Sequence, residues 1–152
     1  DWLRRVGLDN VIACLDGSMF SWSKEGLPTG HIEQLNMAEL HDMSTGKHGM
    51  VFLDVRSPRE YEGPHIEGTI NIPLPDLRER YSELDPEVPT VLICSTGHRS
   101  STGASILKQH GFRKVYNVGG GMMGYSAAGY VPKCPMCFIP HGPHFMGRKL
   151  SL

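Results

Sequence analysis

The residues most able to do chemistry lie together in Cys94-Ser95-Thr96-Gly97-His98-Arg99-Ser100. Cys94 ends the apolar run Thr90-Val91-Leu92-Ile93, which reads as a buried strand, and Ser100 to His110 continues with helical spacing. A cysteine between a strand end and a helix start stands where open parallel sheets bind their ligands. The N–H groups of such a loop, with the first helical turn, make an anion cradle, and the helix dipole lowers a thiol pKa. Arg99 adds a fixed positive charge, Gly97 adds flexibility, and Ser95, Thr96 and Ser100 add small hydroxyls. This polar setting favours a nucleophilic thiolate over an inert strand cysteine.

The surrounding elements are those needed to hold such a loop. Asn36 with Glu39 forms a near capping box and predicts a helix through about Met43. Met50-Val51-Phe52-Leu53 reads as a buried strand, and Ser57-Pro58-Arg59-Glu60 repeats the helix-start chemistry. A brief strand is expected at Thr69 to Ile72, a charged helix at Leu77 to Leu84, and a further strand at Val115 to Val118. Residues 95–99 read as loop, Gly111 as a helix stop, and Gly119-Gly120-Gly121 as the lead into a last short helix through Ala128. This alternation predicts an α/β fold, a parallel sheet with helices on both faces.

Composition narrows the function. The 152 residues suit one ordinary domain, and 39% hydrophobic residues with 20% charged ones permit a real core. A formal net charge of -1 lacks the basic excess of nucleic-acid or anionic-membrane binders. No apolar run approaches the roughly 18 residues of a membrane span, and Asp1 to Arg5 lacks a signal-peptide layout, so a cytoplasmic protein is expected. The absence of an initiator Met suggests a processed or clipped chain. Cys14, Cys94, Cys134 and Cys137 are too unevenly spaced for a disulfide framework, and Cys14 is expected to be plain packing.

Across residues 31–132 the sequence resembles the rhodanese sulfurtransferases. The pieces that carry the resemblance are Leu53-Asp54-Val55-Arg56 with Glu60-Tyr61, His65 to Pro73, the Cys94 to Ser100 loop, and Val118 to Gly121, in family order. The resemblance implies a rhodanese-like parallel sheet and a Cys94 that accepts a sulfane sulfur as a persulfide. It also implies that Ser95, Thr96, Gly97, His98, Arg99 and Ser100 cradle that sulfur. Thiosulfate or a low-molecular-weight persulfide would donate, and a thiol or cyanide would accept, with no cofactor required. A rhodanese-like binding or regulatory module is the alternative. A phosphatase or arsenate reductase is disfavoured, because those enzymes place five residues between Cys and Arg, whereas four separate Cys94 from Arg99.

Other polar residues read as structural. Asp54 is expected to tie down backbone at a strand end, Arg56 to join an ion pair, and His65 to organise its loop. Arg99 either draws the anionic donor or points outwards, and His98 either tunes donor choice or faces solvent.

Two features lie outside this domain. Leu3, Gly7 and Val11 match Leu107, Gly111 and Val115; after a one-residue slip Gly17, Met19, Ser23 and Gly26 match Gly120, Met122, Ser126 and Gly129. Residues 1–29 thus read as a partial repeat, the tail of a preceding rhodanese-like domain. The arrangement resembles rhodanese pairs that follow another domain, such as a metallo-β-lactamase-fold persulfide dioxygenase. Residues 133–152 form a Cys/His tail in which Cys134, Cys137, His141 and His144 resemble a zinc set, although Cys137 and His141 are unusually close. The pair of thiols would otherwise take sulfur from Cys94, or the tail has no role.

Overall fold

The computed structural model describes residues 13–46 and 49–130. The chain divides into two compact units, 1–31 and 32–152. In the first, helix α1 (Ser18–Lys24) starts from Gly17 in the left-handed conformation, and Trp22 Nε1 donates to the Pro28 carbonyl at 3.0 Å. Leu15, Met19 and Phe20 are exposed large hydrophobics in this unit.

The second unit contains a five-stranded, wholly parallel sheet of β1 (Glu33–Leu35), β2 (Val51–Asp54), β3 (Ile70–Asn71), β4 (Thr90–Ile93) and β5 (Val115–Val118), in the order β1-β5-β4-β2-β3. Four helices connect them, α2 (Met37–Thr45), α3 (Pro58–Tyr61), α4 (Leu77–Arg80, continued by a 3-10 turn at Tyr81–Glu83) and α5 (His98–Gln109), and α6 (Gly121–Ala127) follows β5. The two capping boxes form as their spacing predicts. Asn36 accepts from the Ala38 and Glu39 amides while Glu39 returns to the Asn36 amide, and Ser57 and Glu60 do the same for α3.

Every residue of β4 is buried, as a central strand covered on both faces requires. Its side chains alternate between two cores. Leu92 and Cys94 join Leu53, Val55, Leu77, Ala104 and Leu107 on the α4–α5 face. Val91 and Ile93 join Leu40, Val118, Met122 and Tyr125 on the α2–α6 face.

The strand order fixes where a ligand can enter. From β2 the chain proceeds outwards to β3, and from β4 it proceeds the opposite way to β5. The carboxyl ends of β2 and β4 therefore flank a topological switch point, where diverging connections leave a crevice. Asp54 and Cys94 stand at those two ends.

Three elements differ from the sequence reading. Strand β1 has no apolar run to announce it, because it is a three-residue edge strand with only Leu35 buried. The charged helix splits into α4 and a 3-10 turn. Helix α5 begins at His98 rather than Ser100, so His98 and Arg99 occupy its first turn and the loop shortens to 95–97.

Candidate active site

Cys94 is fully buried at the end of β4, with its sulfur at the focus of the following turn. The Gly97 amide donates to Sγ at 3.1 Å and the Ser100 hydroxyl lies 3.3 Å away. That hydroxyl is also 3.1 Å from the Gly97 carbonyl, so its single proton can serve either acceptor. Burial alone pushes the Cys94 thiol up. The Ser100 hydroxyl and the backbone amides of Ser100, Thr96 and Gly97 more than offset it, and the thiol lies below its ordinary value. The amino-terminal end of α5 adds its dipole in the same sense.

Backbone contacts from behind give the loop this shape. The Cys94 carbonyl accepts from the Met122 amide at 2.8 Å and the Ser95 carbonyl accepts from the Met123 amide at 3.0 Å. Because peptide planes are rigid, carbonyls drawn towards α6 turn the Ser95 and Thr96 N–H groups the other way. Close approach requires two glycines. A Cβ on Gly97, at φ 100°, would stand 3.0 Å from the Val118 carbonyl oxygen, and one on Gly121 would stand 2.2 Å from that of Cys94.

At the rim Arg99 is tied down. Its two terminal nitrogens donate to Glu60 Oε2 at 2.8 Å and Oε1 at 2.7 Å, and the second also donates to Ser95 Oγ at 2.8 Å. Ser95 Oγ in turn donates to Glu60 Oε1 at 2.9 Å. Glu60 also accepts from the Ser57 amide at 3.0 Å and the Ser57 hydroxyl at 2.8 Å. The Arg99 guanidinium, assisted by Ser57 and Ser95 against a cost of burial, holds the Glu60 carboxyl well below the usual carboxylate range.

Under the loop, Asp54 and Arg56 form a buried pair at 2.7 Å. Arg56 also donates to the Pro64 carbonyl at 3.0 Å. Asn71 Nδ2 donates to the carbonyls of both Asp54 and Arg56, and so joins β3 to the same turn. These groups are scaffold, as their positions at the strand end suggest. His65 Nδ1 lies 3.0 Å from the Gly63 carbonyl, within its own loop. Beside Arg99 opens a cleft of about 450 Å³ walled by Val55, Pro58, Pro73 and Leu74.

The structure brings Ser95, Gly97, Arg99 and Ser100 around or beside Cys94, in different capacities. Ser100 and Gly97 touch the sulfur, whereas the side chains of Ser95 and Arg99 turn to Glu60. Thr96 Oγ1 and His98 Nδ1 pair with each other at 3.1 Å on the exposed rim. Glu60 is the residue the sequence reading missed, since its capping role hides its contact with a residue far along the chain. Cys134, Cys137, His141 and His144 lie outside the described residues. Among the described residues no group of His, Cys, Asp or Glu is set to hold a metal, and no helix is long and apolar enough to cross a membrane.

A family model described as rhodanese-like domain matches residues 36–128. The chain is 38% identical over 71 residues to the thiosulfate sulfurtransferase PspE of Escherichia coli (strain K12), covering 45% of this chain and 68% of that one. It is 28% identical over 163 residues to the tRNA uridine(34) hydroxylase of Escherichia coli O81 (strain ED1a), covering 99% of this chain and 44% of the relative. A solved rhodanese-related protein from Thermoplasma volcanium aligns with a TM-score of 0.58 and 33% identity, over 64% of this chain and 94% of its own. The chain spans about half the length, or less, of several curated relatives it matches.

Proposed function

The chain belongs to the rhodanese-like domain family, and from that premise we propose that it is a sulfurtransferase whose nucleophile is Cys94. The observation that carries this reading is the sulfur itself, buried yet facing the Gly97 amide and the Ser100 hydroxyl, with its thiol held below the ordinary value. The thiolate attacks the outer sulfur of a donor. With thiosulfate the S–S bond breaks towards sulfite, and with an organic persulfide it breaks towards the thiol, which leaves with the proton. Either way Cys94 becomes Cys–S–S⁻, and the single negative charge rests among donors already in place. An acceptor thiolate or cyanide then attacks the outer sulfur and returns the Cys94 thiolate.

No metal or organic cofactor enters this sequence of steps. The 450 Å³ cleft borders Arg99, one residue of the Cys94 to Ser100 segment, and is the space we assign to the donor's remaining atoms. A cytoplasmic setting, where thiols stay reduced, belongs to the same proposal.

The test is intact-mass measurement of the reduced protein after incubation with thiosulfate and, separately, with glutathione persulfide. The expected gain is about 32 Da, absent in Cys94→Ala and discharged by cyanide. A folded, reduced protein that gains no mass from either donor is a binding module instead.

A further inference from the structure

We propose that Glu60 is a specificity-determining residue, which cancels the charge of Arg99 and so sets the site against donors that carry a second negative charge. This rests on the sulfur-transfer reading. An arginine beside a thiolate is ordinarily a cation free to draw in anions. Here both terminal nitrogens of Arg99 are already committed to the two oxygens of Glu60, in the fork geometry that suits a guanidinium and a carboxylate. Glu60 is itself anchored by the amide and hydroxyl of Ser57 at the start of α3. Ser95 closes the ring by bonding both partners.

The carboxylate is thus held in place before any substrate arrives, and a donor meets an Arg99 whose charge Glu60 already balances. With Cys94 as thiolate, the three groups Cys94, Arg99 and Glu60 sum to one negative charge. A dianion approaching them meets repulsion that a monoanion meets only half as strongly. The pair is also partly exposed, 39% for the Arg99 side chain and 35% for Glu60, so ions in solution can reach it.

Two probes differ in this charge and little else. Thiosulfate is a dianion that releases sulfite, and methanethiosulfonate is a monoanion that releases methanesulfinate. Each loads one sulfur onto the attacking thiolate. The ratio of their kcat/KM values cancels any change in the reactivity of Cys94, because both use the same thiolate.

Glu60→Gln should raise the thiosulfate-to-methanethiosulfonate ratio roughly tenfold, an order set by one unit charge acting across a partly solvated rim. Glu60→Gln combined with Arg99→Gln should remove that rise. The unaltered protein gives an independent reading should the variant fail to fold. Its kcat/KM for thiosulfate should increase with ionic strength if repulsion governs approach, and fall if Arg99 acts as a free cation. A ratio unmoved by Glu60→Gln, or a fall with salt, overturns the inference while sulfur still loads on Cys94. Failure of both probes to load Cys94 in the unaltered protein overturns the sulfur-transfer reading, and this inference with it.

Discussion

Replacing Gly121 by Ala tests whether the turn before α6 builds the thiol's surroundings. A Cβ there would stand 2.2 Å from the Cys94 carbonyl oxygen and 2.7 Å from both the carbonyl carbon and oxygen of Ser95. These are backbone atoms, so no rotamer relieves the overlap, and α6 must retreat from the loop. Retreat breaks the Met122–Cys94 and Met123–Ser95 hydrogen bonds. Gly121 also has φ 55°, a left-handed conformation. That conformation costs a non-glycine residue about 1–2 kcal/mol and each lost hydrogen bond about 0.5–1.5 kcal/mol, for a total of about 2–5 kcal/mol.

Gly120→Ala is the matched control. It shares the left-handed backbone, at φ 84°, but its nearest new neighbour is the flexible end of Met37 at 3.3 Å. It should lose only about 1–2 kcal/mol. Urea denaturation at constant m reads the stability difference. The pH midpoint of Cys94 alkylation by iodoacetamide, followed by site-resolved mass spectrometry, reads the cradle. Gly121→Ala should raise that midpoint and Gly120→Ala should leave it in place. Equal stability losses, with both midpoints unmoved, would show that α6 supports the fold without shaping the thiol's surroundings.

Two further substitutions separate the site from its scaffold. Ser100→Ala removes the largest single contribution that lowers the Cys94 thiol, and it should raise the alkylation midpoint. A thiol depressed in the native state stabilises the fold fully above its ordinary value, so the stability advantage of the unaltered protein over Ser100→Ala should shrink as pH falls through the native midpoint, as denaturation curves across that range will record. Asp54→Asn leaves the guanidinium of Arg56 buried without its counter-charge and should cost about 3–5 kcal/mol in urea denaturation. A loss under 1 kcal/mol would mean that Pro64 and solvent suffice for Arg56.

Much of the fold is legible in single residues. The apolar runs ending at Leu53 and Ile93 announce β2 and β4, because a strand covered on both faces has little polar surface to show, and Val115 and Val118 mark β5 around the polar Asn117. The capping boxes at Asn36 and Ser57 are local bonds and depend on nothing distant. Strand β1 is different: Glu33 and Gln34 are exposed, and pairing with β5 alone makes the segment a strand. The start of α5 is hidden for a related reason. Gly97 is its N-cap, with no side-chain oxygen to mark the position, and it is left-handed where a Cβ would crowd the backbone of Val118 and Gly120. Cys94 and Ser100 are recognisable from spacing as parts of one turn. Glu60 is not, since its bonds to Ser57 are local while those to Ser95 and Arg99 depend on the adjacency of β2 and β4.

The hold that α6 keeps on the carbonyls of Cys94 and Ser95 also imposes an order in time. As the chain leaves the ribosome, Cys94 emerges before the glycine turn and helix that orient its loop. Until those arrive, the Cys94 and Ser95 carbonyls lack the Met122 and Met123 amides that hold the loop in place. The full set of contacts around the thiol is therefore complete only once β5 and α6 have docked behind the loop.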